Sequence, residues 1–104
     1  MSAGSVNAKF GGAWWDTLFL FVRDNDEKFI RDFVGRMPCA KCSSEFYKKL
    51  EGISLEGDVW TIRRKLWSIR CLIHAVKYAG KDTDKDYNDY LNFLMINQRY
   101  SLIK

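Results

Sequence analysis

Residues 58–78, DVWTIRRKLWSIRCLIHAVKY, carry the clearest periodic signal in the chain. Val59, Ile62, Leu66, Ile69, Ile73 and Val76 recur at steps of three and four, a spacing that aligns one face of an α-helix and no face of a β-strand. Asp58 stands where an N-cap carboxylate can accept a free amide N–H, and Ala79-Gly80-Lys81 supplies an exit. The pattern predicts a helix from Asp58 to about Tyr78, central in the fold or at an interface. One proline in 104 residues, seven scattered glycines and almost no β-branched alternation extend that reading to an all-α protein.

Working outward, Thr83-Asp84-Lys85-Asp86 resembles a capping box with Asp in place of Glu, opening a short fifth helix through Tyr87, Leu91 and Leu94. Upstream, Glu51 to Gly57 reads as a loop. Pro38 is suited to the first helical position, so it opens a helix to about Leu50 with Phe46, Tyr47 and Leu50 inward and Cys39 in its first turn. Asp24-Asn25-Asp26-Glu27 offers cap acceptors for a helix whose Phe29, Phe33 and Met37, flanked by Ile30 and Val34, form an apolar side. A first helix, about Ala13 to Arg23, carries Trp14, Trp15, Leu18, Phe19 and Val22 after a flexible start over residues 1–9. Helices of this length cannot bury their stripes alone. The expected architecture is one domain over residues 1–104, an antiparallel four-helix bundle plus the short fifth helix.

Hydrophobic residues make up 47% and charged residues 29%, a balance that excludes disorder. Aromatic residues reach 15%, enough either to enlarge a small core or to line a flat ligand. Seventeen basic against thirteen acidic side chains leave a net charge of +4. With Arg63-Arg64-Lys65 as the one basic run, nucleic acid is not an expected partner, whereas a phosphate-bearing cofactor suits the charge. Residues 1–12 have no apolar signal-peptide core, and Leu18 to Val22 is far too short to span a membrane. Three cysteines in that setting point to redox, catalytic or metal roles rather than to a secreted disulfide scaffold.

The most specific motif is Pro38-Cys39-Ala40-Lys41-Cys42. A C-x-x-C at a helix N-terminus places its sulfurs against unpaired N–H groups, and Arg36 and Lys41 add positive charge, so lowered thiol pKa values and redox chemistry are expected. Cys71-Leu72-Ile73-His74 leaves a second reading open. Together with Cys39 and Cys42 it completes a Cys3His set for structural zinc, in which case the chain is a helical interaction module.

Phe10-Gly11-Gly12-Ala13-Trp14-Trp15-Asp16-Thr17-Leu18-Phe19, followed by Met37-Pro38-Cys39-Ala40-Lys41-Cys42 and a long helix, resembles the FAD-linked sulfhydryl oxidases of the Erv/ALR type, closest to their short poxvirus-like members. In the family's W-G-x-x-x-W opening, Phe10 replaces the first tryptophan, and Gly11 and Trp15 match. Phe19 stands where cellular members carry a histidine. The H-N-x-V-N signature of the fourth helix is absent. One register puts Ile73 and His74 at its asparagine positions, and another, anchored on Gly80-Lys81, shifts by several residues.

The resemblance implies FAD at the bundle mouth, with Gly11, Trp15, Phe19, Phe46, Ile73, His74 and Lys81 as contacts and Cys39 and Cys42 as the catalytic pair. It also implies that Cys39 exchanges with substrate, that Cys42 lies nearer the flavin, that dioxygen accepts the electrons to give hydrogen peroxide, and that the protein is a homodimer. Residues 1–9 and 98–104 contain no cysteine to act as a shuttle. A separate thioredoxin- or glutaredoxin-like thiol protein is therefore the expected electron donor. The expected location is the cytoplasm, or host cytoplasm and virion for a virus-encoded chain.

Overall fold

The computed structural model describes residues 14–37 and 39–97. Gly11, the N-terminal segment 1–9 and Pro38 lie outside the described residues. Within them the chain forms five helices and no strand: α1 (14–21), α2 (Glu27–Gly35), α3 (Ala40–Leu50), α4 (Val59–Ile73) and α5 (Asp84–Asn97). One core joins them all. It is built from Trp14, Trp15, Leu18, Phe19 and Val22 of the first segment, Ile30 and Val34 of α2, Phe46 and Leu50 of α3, the α4 stripe, and Tyr87, Leu91 and Leu94 of α5. No helix among the described residues is long and apolar enough to cross a membrane.

The expected N-cap of α4 is present. Asp58 accepts the Thr61 N–H at 2.7 Å, and hydrogen bonding from the Thr61 side chain first and this N–H second holds its carboxyl below the usual range. The acidic tetrad before α2 works differently from expectation. Asp26 occupies the N-cap position with no side-chain cap bond and accepts instead from Arg23 N at 3.2 Å. Asp24 reaches across to the Val59 N–H at 2.7 Å, and Asn25, in the left-handed region at φ 52°, accepts from Gly57 N at 2.7 Å. These residues tie the α1–α2 turn to the start of α4. A tertiary partner has taken acceptors that local sequence assigns to α2.

The helix boundaries differ from expectation. α1 ends at residue 21, and α2 begins at Glu27 and stops at Gly35. α3 starts at Ala40, so Cys39 is its extended N-cap (φ −114°, ψ 113°) rather than a first-turn residue. α4 ends at Ile73, not Tyr78, and Val76, the last residue of the periodic stripe, is 99% exposed. Past His74 the chain curls through turns so that Tyr78 packs edge-on against Trp67 at 5.7 Å and the Lys81 carbonyl accepts the Trp67 indole N–H at 3.0 Å. Packing on Trp67 outweighs one more turn of helix. Gly80, at φ 71°, makes the return possible.

Two further expectations change. Tyr47 is not inward: it is partly exposed, and its hydroxyl donates to the Arg31 carbonyl at 2.7 Å, fastening α3 to α2 beside Gly35. The fifth helix, at 14 residues, is not short. Its predicted cap is there, with Asp86 N donating to Thr83 Oγ1 at 3.0 Å and the Thr83 hydroxyl donating to Asp86 at 2.7 Å.

Candidate functional site

The start of α3 sets the cysteine geometry. Cys39 caps the helix with sulfur in place of the usual oxygen, accepting the Cys42 N–H at 3.2 Å. Both residues are half-buried and stand as thiols. A sulfur in that position faces the positive end of the helix, where a thiolate is stabilised. Cys42 behaves oppositely to expectation, its thiol being pushed up to about 11. Burial is the largest cause, followed by its hydrogen bond to the Cys39 sulfur and the charge there; Lys41 offsets only part of this. The pair is therefore asymmetric, with Cys42 its proton-retaining member.

One helical turn beyond Cys42, Phe46 is fully buried and stacks on Trp15 at 5.1 Å with an interplanar angle of 19°. Trp15 in turn meets the His74 ring edge-on at 6.3 Å and Phe19 at 6.3 Å. Phe19 continues to Tyr90, edge-on at 5.1 Å. His74 is the C-cap of α4, half-buried, with burial, Arg70 and Lys77 all holding its pKa below the ordinary 6.5. Ile73 packs half-buried against the core, and Lys81 is exposed at the edge of the Trp67–Tyr78 pair. Thus Trp15, Phe19, Phe46 and His74 form one continuous aromatic contact, which begins a turn from Cys42.

The residue that periodicity does not single out is Arg70. It is 7% exposed, and its guanidinium carbon lies 4.9 Å from the Tyr90 ring, 5.2 Å from Tyr78, 5.4 Å from Trp15 and 5.9 Å from Trp67. Its Nε and Nη1 have no hydrogen-bond partner among the described residues, nor has the indole N–H of Trp15. Arg63, seven residues earlier on α4, is also buried, but its Nε donates to the Phe19 carbonyl at 2.7 Å near the end of α1. A spacing of seven between two arginines inside an apolar helix was the available signal.

The alternative zinc set does not assemble: among the described residues no three His, Cys, Asp or Glu side chains group as metal ligands. Cys71 is buried, its thiol raised first by desolvation and then by Asp82, whereas His74 meets Trp15. Comparisons with protein-family models, curated proteins and solved structures return no match. The functional reading accordingly rests on the cysteine pair and the aromatic cluster behind it.

Proposed function

We propose that this chain is an FAD-linked thiol oxidase with Cys39 and Cys42 as its redox pair. The observation that carries the reading is the arrangement at the α3 N-terminus, where the Cys39 sulfur accepts the Cys42 N–H at 3.2 Å while Cys42 is held protonated first by burial and then by its side-chain hydrogen bond to that sulfur. Starting from their disulfide, a substrate thiolate attacks the Cys39 sulfur. The Cys39–Cys42 bond breaks, and Cys42 leaves with the electron pair and takes a proton in its buried site. A second substrate thiolate then attacks the mixed disulfide at the substrate sulfur, releasing oxidised substrate and the Cys39 thiolate. Two electrons now reside on the pair.

FAD, when bound, supplies the chemistry of accepting that electron pair and handing it to dioxygen, giving hydrogen peroxide. Fit to such a group is favoured by donors without a partner among the described residues, the indole N–H of Trp15 and two guanidinium nitrogens of Arg70. Trp15, Phe46, Ile73, His74 and Lys81 would hold it, and Phe19 would support Trp15 from behind. In this reading α1 to α4 form the family's four-helix bundle, with the cofactor at its mouth. Phe21, half exposed beside Phe29 and Phe33, contributes the face for a second copy. The electron donor is a thioredoxin- or glutaredoxin-like thiol protein.

The test uses the purified full chain. A yellow protein with stoichiometric FAD, consuming oxygen and releasing peroxide in the presence of dithiol, is expected. Cys42→Ser should keep the flavin and lose its reduction by dithiol. A colourless chain that cannot be loaded with FAD sinks the reading.

A further inference from the structure

Beside the cysteine pair lies a groove of about 550 Å³ between the end of α2 and one face of α3. Gly35, Met37, Ala40, Ser43 and Tyr47 are among its lining residues. Met37 and Ala40 stand on either side of Cys39 in the chain, which puts Cys39 at the groove's margin. Two contacts fix the floor. The Ser43 hydroxyl donates to the Val34 carbonyl at 2.9 Å and the Tyr47 hydroxyl to the Arg31 carbonyl at 2.7 Å, clipping α3 onto α2. Gly35 lets the Tyr47 phenol lie there, because a Cβ at that position would stand 2.9 Å from its oxygen. Half-buried Met37 and the partly exposed Tyr47 ring supply the groove's apolar surface.

Charge is spread unevenly along it. Lys41 and Lys48, seven residues apart, share one face of α3. Toward the C-terminal end of that helix, Lys48 pairs with Glu45 at 3.7 Å and Glu51 also lines the groove, so acid and base nearly balance. At the Cys39 end, Arg36 and Lys41 are exposed and enter no ion pair among the described residues. The groove therefore carries its unbalanced positive charge on both sides of the cysteine that exchanges.

We propose that this groove docks the cysteine-bearing segment of the thiol substrate, and that it selects a segment with acidic residues next to its cysteine. The occupant rests on the thiol-oxidase reading: a protein thiol that is to reach the Cys39 sulfur brings its own chain past Met37 and Ala40. Carboxylates beside that thiol meet Arg36 and Lys41, residues further along pack on Tyr47, and a basic segment is repelled. A small uncharged thiol reaches Cys39 without using the groove. Arg36, Lys41 and Tyr47 are thus specificity determinants, acting on which chain docks and not on the sulfur exchange.

The test needs no cofactor. In the full chain carrying Cys42→Ser, Cys39 attacks a cysteine peptide supplied as its mixed disulfide with thionitrobenzoate. The peptide–Cys39 disulfide forms, the peptide–thionitrobenzoate bond breaks, and the coloured thiolate leaves with the electron pair. Peptide mapping separates reaction at Cys39 from reaction at Cys71. At low salt a peptide with glutamates on both sides of its cysteine should react roughly tenfold faster than one with lysines there, and the gap should close as salt rises. Arg36→Glu together with Lys41→Glu should reverse the order. Lys28→Glu together with Lys85→Glu makes the same change in net charge outside the groove and should leave the order as it was. Gly35→Ala, which displaces Tyr47, should slow the acidic peptide severalfold and leave a small uncharged disulfide unaffected. Equal rates for the two peptides, or the same loss from both charge reversals, would overturn the docking groove and leave the oxidase reading standing on its flavin test. Charge-selective exchange in a chain that takes up no FAD would support the groove and remove the oxidase reading. Reaction at Cys71 in place of Cys39 overturns both.

Discussion

At the level of single residues, Cys42 holds the clearest physical contrast with its neighbour. The motif led to an expectation of two activated thiols, because a helix N-terminus and two basic side chains act on both. Burial and the second sulfur instead decide the outcome for Cys42. Replacing Cys39 by alanine removes the hydrogen bond and the charge that raise the Cys42 pKa while leaving its burial. Cys42 should then titrate below about 11 but above 9.0. Peptide-resolved alkylation rates across pH measure this directly. An unchanged midpoint would mean that burial alone sets the Cys42 proton affinity. The sign also fixes a stability effect: a thiol held protonated in the fold adds stability below its ordinary pKa, and that contribution is lost as pH rises from 9.0 through about 11.

Among the elements, legibility tracked how local the governing forces are. The Asp58 cap and the Thr83–Asp86 cap were readable because donor and acceptor lie three residues apart. Apolar periodicity likewise gave all five helices, and Ile30, Val34, Phe46 and Leu50 are buried as their spacing requires. The end of α4 was not readable. Its stripe continues to Val76, and the helix stops earlier because Tyr78 and the Lys81 carbonyl fold back on Trp67, a contact between turns that no local window contains. The cap of α5 offers a test at this scale. Thr83→Ala removes the hydroxyl that meets Asp86 N and should cost about 1 kcal/mol. For a domain near 100 residues that lowers the melting temperature by about 4–8 °C. A loss under 1 °C by circular dichroism would show that the α4–α5 turn is held by the Arg64 ion pairs with Asp82 and Asp84 instead.

Considered as a whole, the molecule separates a motif visible in sequence from a buried aromatic cage visible only after folding. Cys39 and Cys42 announce themselves by spacing, but Arg70 sits on a helix read as an apolar stripe, and its isolation depends on rings from α1, α4, α5 and the turn between the last two. No segment alone builds that cage, so a ligand held there recognises the folded chain and not the unfolded one. Binding must then raise stability by mass action, by about 2.7 kcal/mol at a ligand concentration one hundred times Kd. On the same scaling the melting temperature should rise on the order of 10 °C with saturating FAD. The rise should be much smaller with riboflavin, and Arg70→Gln should erase the difference between the two. Equal shifts from FAD and riboflavin in the wild type would place all the binding energy on the ring system and leave the Arg70 donors without a role in it. No shift from either would mean that the cage, Arg70 included, is a finished core, stabilised by its four rings alone.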